Sequence, residues 1–134
     1  MESDVIQIIT ELLQPYLTAE GVCAYPTYRL IKYVAYLKDY FLEIRYEFVD
    51  NFYEIKIEER KNNQIGEIVL LSQSKRYHKD LKRRLAKDKL EKKKLSSHMI
   101  CLCQIIQEQL DEHRNLDAFQ EKYVADLKFD GIFL

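Results

Sequence analysis

The chain has 134 residues, 47% of them hydrophobic and 32% charged, with a formal net charge of −1. Ten Tyr and six Phe within that apolar fraction exclude a disordered polymer and supply material for a core. No run approaches the roughly 18 apolar residues of a membrane-spanning helix, and three cysteines without a framework spacing fit a reducing compartment.

These bounds predict one α+β domain over residues 1–134, cytoplasmic and not associated with a membrane. Met1-Glu2-Ser3-Asp4 is acidic where a signal peptide is basic, so no leader is expected. In chain order, Ser3 or Asp4 can cap a first helix with Val5, Ile8, Ile9, Leu12 and Leu13 on its apolar face, closed by Pro15 and then Gly21. Residues 21–26 read as a connection. A second helix is expected from Thr27, carrying Leu30, Ile31, Val34 and Leu37 inward. Its other positions interleave Tyr28, Tyr33, Tyr36 and Tyr40 with Arg29, Lys32 and Lys38.

The period then switches to two. Leu42, Ile44, Tyr46 and Phe48 alternate with Glu43, Arg45 and Glu47; after the turn pair Asp50-Asn51, Tyr53, Ile55 and Ile57 alternate with Glu54, Lys56 and Glu58. A two-residue hairpin at Asp50-Asn51 pairs Phe48 with Tyr53 and Ile44 with Ile57, with every apolar residue on one face. A second turn at Asn62-Asn63 sets Ile57 opposite Ile68 and Ile55 opposite Leu70. The expectation is a three-stranded antiparallel meander. Its outer face then carries a row of Glu43, Glu58 and Glu67, with Glu47 opposite Glu54. Ile65, Val69 and Leu71 on that face of the third strand call for a cover, a terminal helix or, alternatively, a partner protein or second copy.

From Ser72 to Arg114 there is neither Gly nor Pro. Tyr77, Leu81 and Leu85, then Leu95, Met99, Leu102, Ile106 and Leu110, fall at helical spacing. An unbroken helix of this length would span about 64 Å, far beyond a domain whose radius of gyration is about 14 Å. A break near Ser96 is therefore expected, with Ser96 as N-cap; the alternative is a projecting arm or coiled-coil strand that pairs two copies. A last short helix should run through Leu116, Phe119, Tyr123, Val124 and Leu127, ahead of an apolar Ile132-Phe133-Leu134 tail. The central α-β-β-β-α order is similar to that of the double-stranded-RNA-binding domains, whose Gly-Pro loop and Lys-Lys-x-Ala-Lys helix start this chain lacks.

Charge is the sharpest functional signal. Lys75 to Lys94 holds eleven Lys/Arg against Asp80, Asp88 and Glu91, a net of +8, which leaves −9 on the other 114 residues. Dense Lys/Arg binds phosphate backbones by releasing their counterions. Lys75, Arg76, Lys79, Lys82, Arg83, Arg84, Lys87 and Lys89 are the candidate anion-binding residues, for nucleic acid or an acidic protein surface; Arg29, Tyr33 and Tyr36 are weaker candidates that would add stacking. The rival reading is a protein–protein module (an inhibitor, an immunity-type protein or an assembly subunit) using the acidic sheet face and the third-strand patch. Neither a nucleophilic Ser/His/Asp or Cys/His signature nor a Gly-rich phosphate loop is present, so no enzyme and no cofactor are expected. Cys101 and Cys103 are two apart on a helix and diverge; His98 and Cys101 share a face but fall short of a metal's four ligands, so no metal is expected.

Overall fold

The computed structural model describes residues 2–61, 64–112 and 123; the side chains at 2, 3, 61 and 65–67 are outside that description. It is an α+β fold in which a five-stranded antiparallel sheet carries three helices among the described residues. The order is α1 (Glu2–Leu13), β1 (Leu17–Pro26), β2 (Leu30–Leu37), β3 (Tyr40–Glu47), β4 (Phe52–Lys61), β5 (Gln64–Leu70), α2 (Lys75–Lys87) and α3 (Leu95–Asp111). Strands follow one another in space as in sequence, so every connection is a hairpin.

Two of these strands replace expected helix and loop. The expected second helix is β2, in which Ile31, Tyr33, Ala35 and Leu37 alternate onto the buried face. In an apolar run this short the two periods overlap, and the β-branched and aromatic residues Ile31, Tyr33, Val34 and Tyr36 favour the strand. Thr27 does cap, but on a hairpin: its Oγ1 accepts from the Leu30 amide at 3.1 Å, and its own amide donates to the Leu30 carbonyl at 2.7 Å. The supposed connection belongs to β1. Gly21, at φ +66°, sits where the β1–β2 register shifts between Leu17 and Val22, so it bends a strand and does not end an element. At the chain start Ser3 and Asp4 fall inside α1 and not before it, with Val5, Ile9 and Leu13 facing the core. With five strands and no second helix before them, the likeness to a double-stranded-RNA-binding domain does not hold.

The β3–β4 hairpin pairs Tyr46 with Tyr53, Ile44 with Ile55 and Leu42 with Ile57, two residues away from the expected register. Its loop is 48–51, with Asn51 at φ +50°. A shift of two preserves the faces, so Ile44, Ile55 and Ile57 remain buried. Beyond it, Lys61 pairs with Gln64 as expected, but a bulge between Glu58 and Arg60 moves the rest by one residue, giving Glu58–Ile68 and Ile57–Val69. Odd shifts exchange faces. Val69 and Leu71 go to the core at 1% and 0% exposure, while Ile68 and Leu70 stand on the outer face at 45% and 40%.

The long segment does break. α2 ends in a Schellman turn: the Leu90 amide donates to the Leu85 carbonyl at 2.9 Å and the Lys89 amide to the Ala86 carbonyl at 3.3 Å, with Lys89 at φ +54°. Leu90 packs on the core behind it. α3 restarts at Leu95 with Lys94 as N-cap, one turn's reach from the expected Ser96 and without a side-chain cap. Neither a projecting arm nor a coiled-coil strand forms from it, because Tyr77, Leu81 and Leu85 of α2 and Met99, Leu102 and Ile106 of α3 all join one core. Burying each such side chain contributes about 1.5–3 kcal/mol. The expected C-terminal helix and the apolar tail lie outside the described residues except for Tyr123, which is buried.

Candidate functional site

α2 starts cleanly because Ser74, itself buried, accepts the Tyr77 amide at 3.1 Å on its Oγ. Tyr77, Leu81 and Leu85 then fix the helix rotation by facing the core. At roughly 100° per residue, the opposite side is an arc of about 140° holding Lys75, Arg76, Lys79, Lys82, Arg83 and Lys87, with Ala86 the remaining member. All are exposed, and the arc contains no acid. Arg76, Lys79, Lys82 and Lys87 make no ion pair among the described residues.

Two of the expected residues stand differently. Arg84 leaves the arc: its guanidinium is half-buried between α2 and α3, 2.5 Å from Glu108 and 3.5 Å from Gln104. Burial works against its charge, but the Glu108 carboxylate outweighs it and holds the pKa above the ordinary arginine value. Arg84 is thus a helix–helix tie, and a sequence lists it beside Arg83 with no sign of the difference. Arg83 stays exposed but donates to Asp80 at 3.1 Å. Asp80 also accepts from the Tyr123 hydroxyl at 3.0 Å, so the one acid of α2 is occupied at its flank. Lys89 is exposed just past the helix end.

The weaker candidates do not join this surface. Tyr33 is buried on the inner sheet face at 1% exposure, where no base can stack. Tyr36 is on the outer face, held by a hydroxyl contact of 3.1 Å with Tyr25 and edge-on to Phe41 at 5.0 Å. The Tyr36 hydroxyl pushes the Tyr25 phenol up to about 12. Arg29 lies in the β1–β2 turn over the Tyr28 ring at 5.5 Å.

The outer sheet face has no glutamate row. Register sets Glu43 opposite Lys56 and Glu54 opposite Arg45. Glu43 lies 3.8 Å from Lys32 and 3.6 Å from Lys56, and Glu58 accepts from Arg60 at 3.1 Å. Arg60 also covers the Phe41 ring at 3.8 Å. Glu43 and Glu58 are therefore neutralised, Glu54 faces a cation, Glu47 lies opposite Phe52, and the side chain of Glu67 is outside the described residues. No described helix covers this face, which leaves Ile68, Leu70 and Phe52 exposed beside the charges.

Cys101, Cys103 and His98 are engaged within the fold. Cys101 and Cys103 are free and fully buried, and burial pushes the Cys103 thiol up to about 12. His98 uses both ring nitrogens: Nε2 lies 2.6 Å from the Lys92 carbonyl, which can only accept, so Nε2 carries a proton. Nδ1 then accepts from the Tyr53 hydroxyl at 2.8 Å in the neutral ring, leaving neither nitrogen for a metal. Burial holds Tyr53 protonated, its pKa up at about 12. Among the described residues no group of three or more His, Cys, Asp and Glu comes together, and no helix is long and apolar enough to cross a membrane.

Comparison with protein families, curated proteins and solved structures finds no match to this chain.

Proposed function

We propose that this chain is a non-enzymatic, cytoplasmic binding protein whose α2 face holds a nucleic-acid backbone. The observation that carries the reading is the acid-free arc of Lys75, Arg76, Lys79, Lys82, Arg83 and Lys87, fixed outward by the core anchors on the other side of the helix. A helix of 13 residues is about 20 Å long, and a duplex presents one phosphate charge per roughly 1.7 Å of its axis, so several cations can be neutralised at once. The arc carries no aromatic ring. Backbone contact without base stacking favours duplex over single strand and gives little sequence preference.

The test is fluorescence anisotropy of labelled duplex and single-stranded DNA and RNA against the native chain and a Lys79→Glu, Lys82→Glu, Lys87→Glu variant. These three positions touch nothing in the core. Arg84→Glu is left out, since it would break the tie to Glu108. Tight duplex binding at low salt, weakened about a hundredfold or more in the variant, supports the reading; equal binding by both chains rejects it.

A second reading has its own observation. The β4–β5 bulge turns Ile68 and Leu70 outward onto the sheet face that no described helix covers. That patch suits a protein partner or second copy, and a complex insensitive to salt and to the α2 variant would favour it.

A further inference from the structure

A cavity of about 500 Å³ opens between the start of α1, β2, the β3–β4 loop and the link from α2 to α3. It shares no residue with the α2 arc. Its floor is made by the edges of Val5, Ile31 and Tyr33, and its walls by Tyr46, Phe48 and Leu95. Phe48 keeps 41% of its surface in solvent, unusual for a Phe beside a core that has room for it. The volume falls in the range of small-molecule sites, about 300–1,000 Å³.

Hydrogen bonds hold the cavity open. Asn51 accepts from the Tyr46 hydroxyl at 2.9 Å and donates to the Lys93 carbonyl at 3.4 Å, which ties the hairpin loop to the α2–α3 link. His98 holds the neighbouring Lys92 carbonyl from the other side. The link therefore cannot settle onto the apolar floor. Lys93, Lys94 and Asp4 are the charged residues of the cavity's lining. Lys94 shares its charge with Glu91 at 3.5 Å, whereas Lys93 has no ion pair among the described residues. The lining itself holds two lysines against one carboxylate, and the first amides of α3, which lack a side-chain cap, add to that positive side.

We propose that this cavity binds a small amphipathic anion, with an apolar chain or ring against Ile31, Tyr33 and Phe48 and a carboxylate or phosphate head on Lys93 and Lys94. Calorimetric titration of the native chain with decanoate, decyl phosphate, decanol and decyltrimethylammonium, all below their micelle concentrations, tests the head group with the tail held constant. Saturable binding should rank both anions above the alcohol and the alcohol above the cation, and the stronger of the two anions identifies a carboxylate or a phosphate ligand. Lys93→Met should weaken the anions about three- to fivefold, a part-exposed ion pair's worth, and leave decanol unchanged. Ser96→Trp, which fills the mouth, should abolish binding of all four while circular dichroism stays native. The charge-reversed α2 variant should bind as the native chain does. No saturable binding, equal binding of all heads, or preference for the cation through Asp4 would each overturn the proposal.

Discussion

The α2 arc and the outer face of the sheet are comparably rich in charge, yet only one presents a field to a partner. On the sheet, alternation and register bring Glu43 between Lys32 and Lys56, Glu54 opposite Arg45 and Glu58 against Arg60, so three of its acids face cations. On α2 the spacing that sends Tyr77, Leu81 and Leu85 inward gathers like charges on the other side with no strand beside them to supply acids. Charge content alone does not distinguish the two; cross-strand pairing does.

The largest expected effect sharpens where the outer face begins. Val69→Lys should cost about 3–5 kcal/mol in urea unfolding, because it buries an unpaired ammonium. Ile68→Lys should stay within about 0.5 kcal/mol, since that side chain is 45% exposed. A bulge-free sheet would reverse the order.

Alkaline pH separates the surfaces from the core they share. The Cys103 thiol is raised from 9.0 to about 12 by burial and the Tyr53 phenol from 10.0 to about 12, so the unfolded chain releases these protons first. Stability is then full below pH 9 and falls as pH rises toward 12, by about 1.4 kcal/mol per pH unit for each group in its window. Between pH 9 and 10 the loss belongs to the thiols, and Cys103→Ala should reduce its slope while the lysines of the arc are still largely charged.

Neutralised and outward cations should also differ in what their removal does to the fold. Glu108→Ala leaves the half-buried Arg84 guanidinium unpaired and should cost about 1–2 kcal/mol, less than a fully buried pair. Lys79→Ala should remain within about 0.5 kcal/mol. Equal costs would mean that the arc is a packed surface after all. The smallest effect is a gain: Lys89→Gly should stabilise by about 0.5–1 kcal/mol, since Lys89 occupies the left-handed position that closes α2.

That lysine also explains what the sequence withheld. A helix terminator is legible when it is Gly or Pro, and the stretch from Ser72 to Arg114 has neither; the sequence implies a break only because a straight rod would outrun the domain, and its capping signal at Ser96 lies seven residues past the residue that turns the chain. The β3 and β4 faces were legible from strict alternation, even with the hairpin loop two residues longer than expected, because an even shift keeps every side chain on its side. The β4–β5 bulge was not legible. One extra residue leaves no mark in composition, yet it moved Val69 inward and Ile68 outward; the glutamate row was already broken by the hairpin shift, which sets Glu43 opposite Lys56. β2 was lost to a period that fits both a helix and a strand over eight residues. Of the candidate site, the basic face was readable from charge and spacing, whereas the withdrawal of Arg84 depends on Glu108, 24 residues away, and on the turn that brings α3 alongside α2.

The salt dependence of duplex binding tests the central claim most directly. With most of the six arc cations neutralising phosphates, the logarithm of the association constant should fall against the logarithm of salt concentration with a slope of roughly −4 to −5, and the Lys79→Glu, Lys82→Glu, Lys87→Glu variant should lose about 3 from that slope. A sheet-face variant, Arg45→Glu with Lys56→Glu, should keep the native slope. A native slope near zero, or one that the sheet variant changes and the α2 variant does not, would contradict the account.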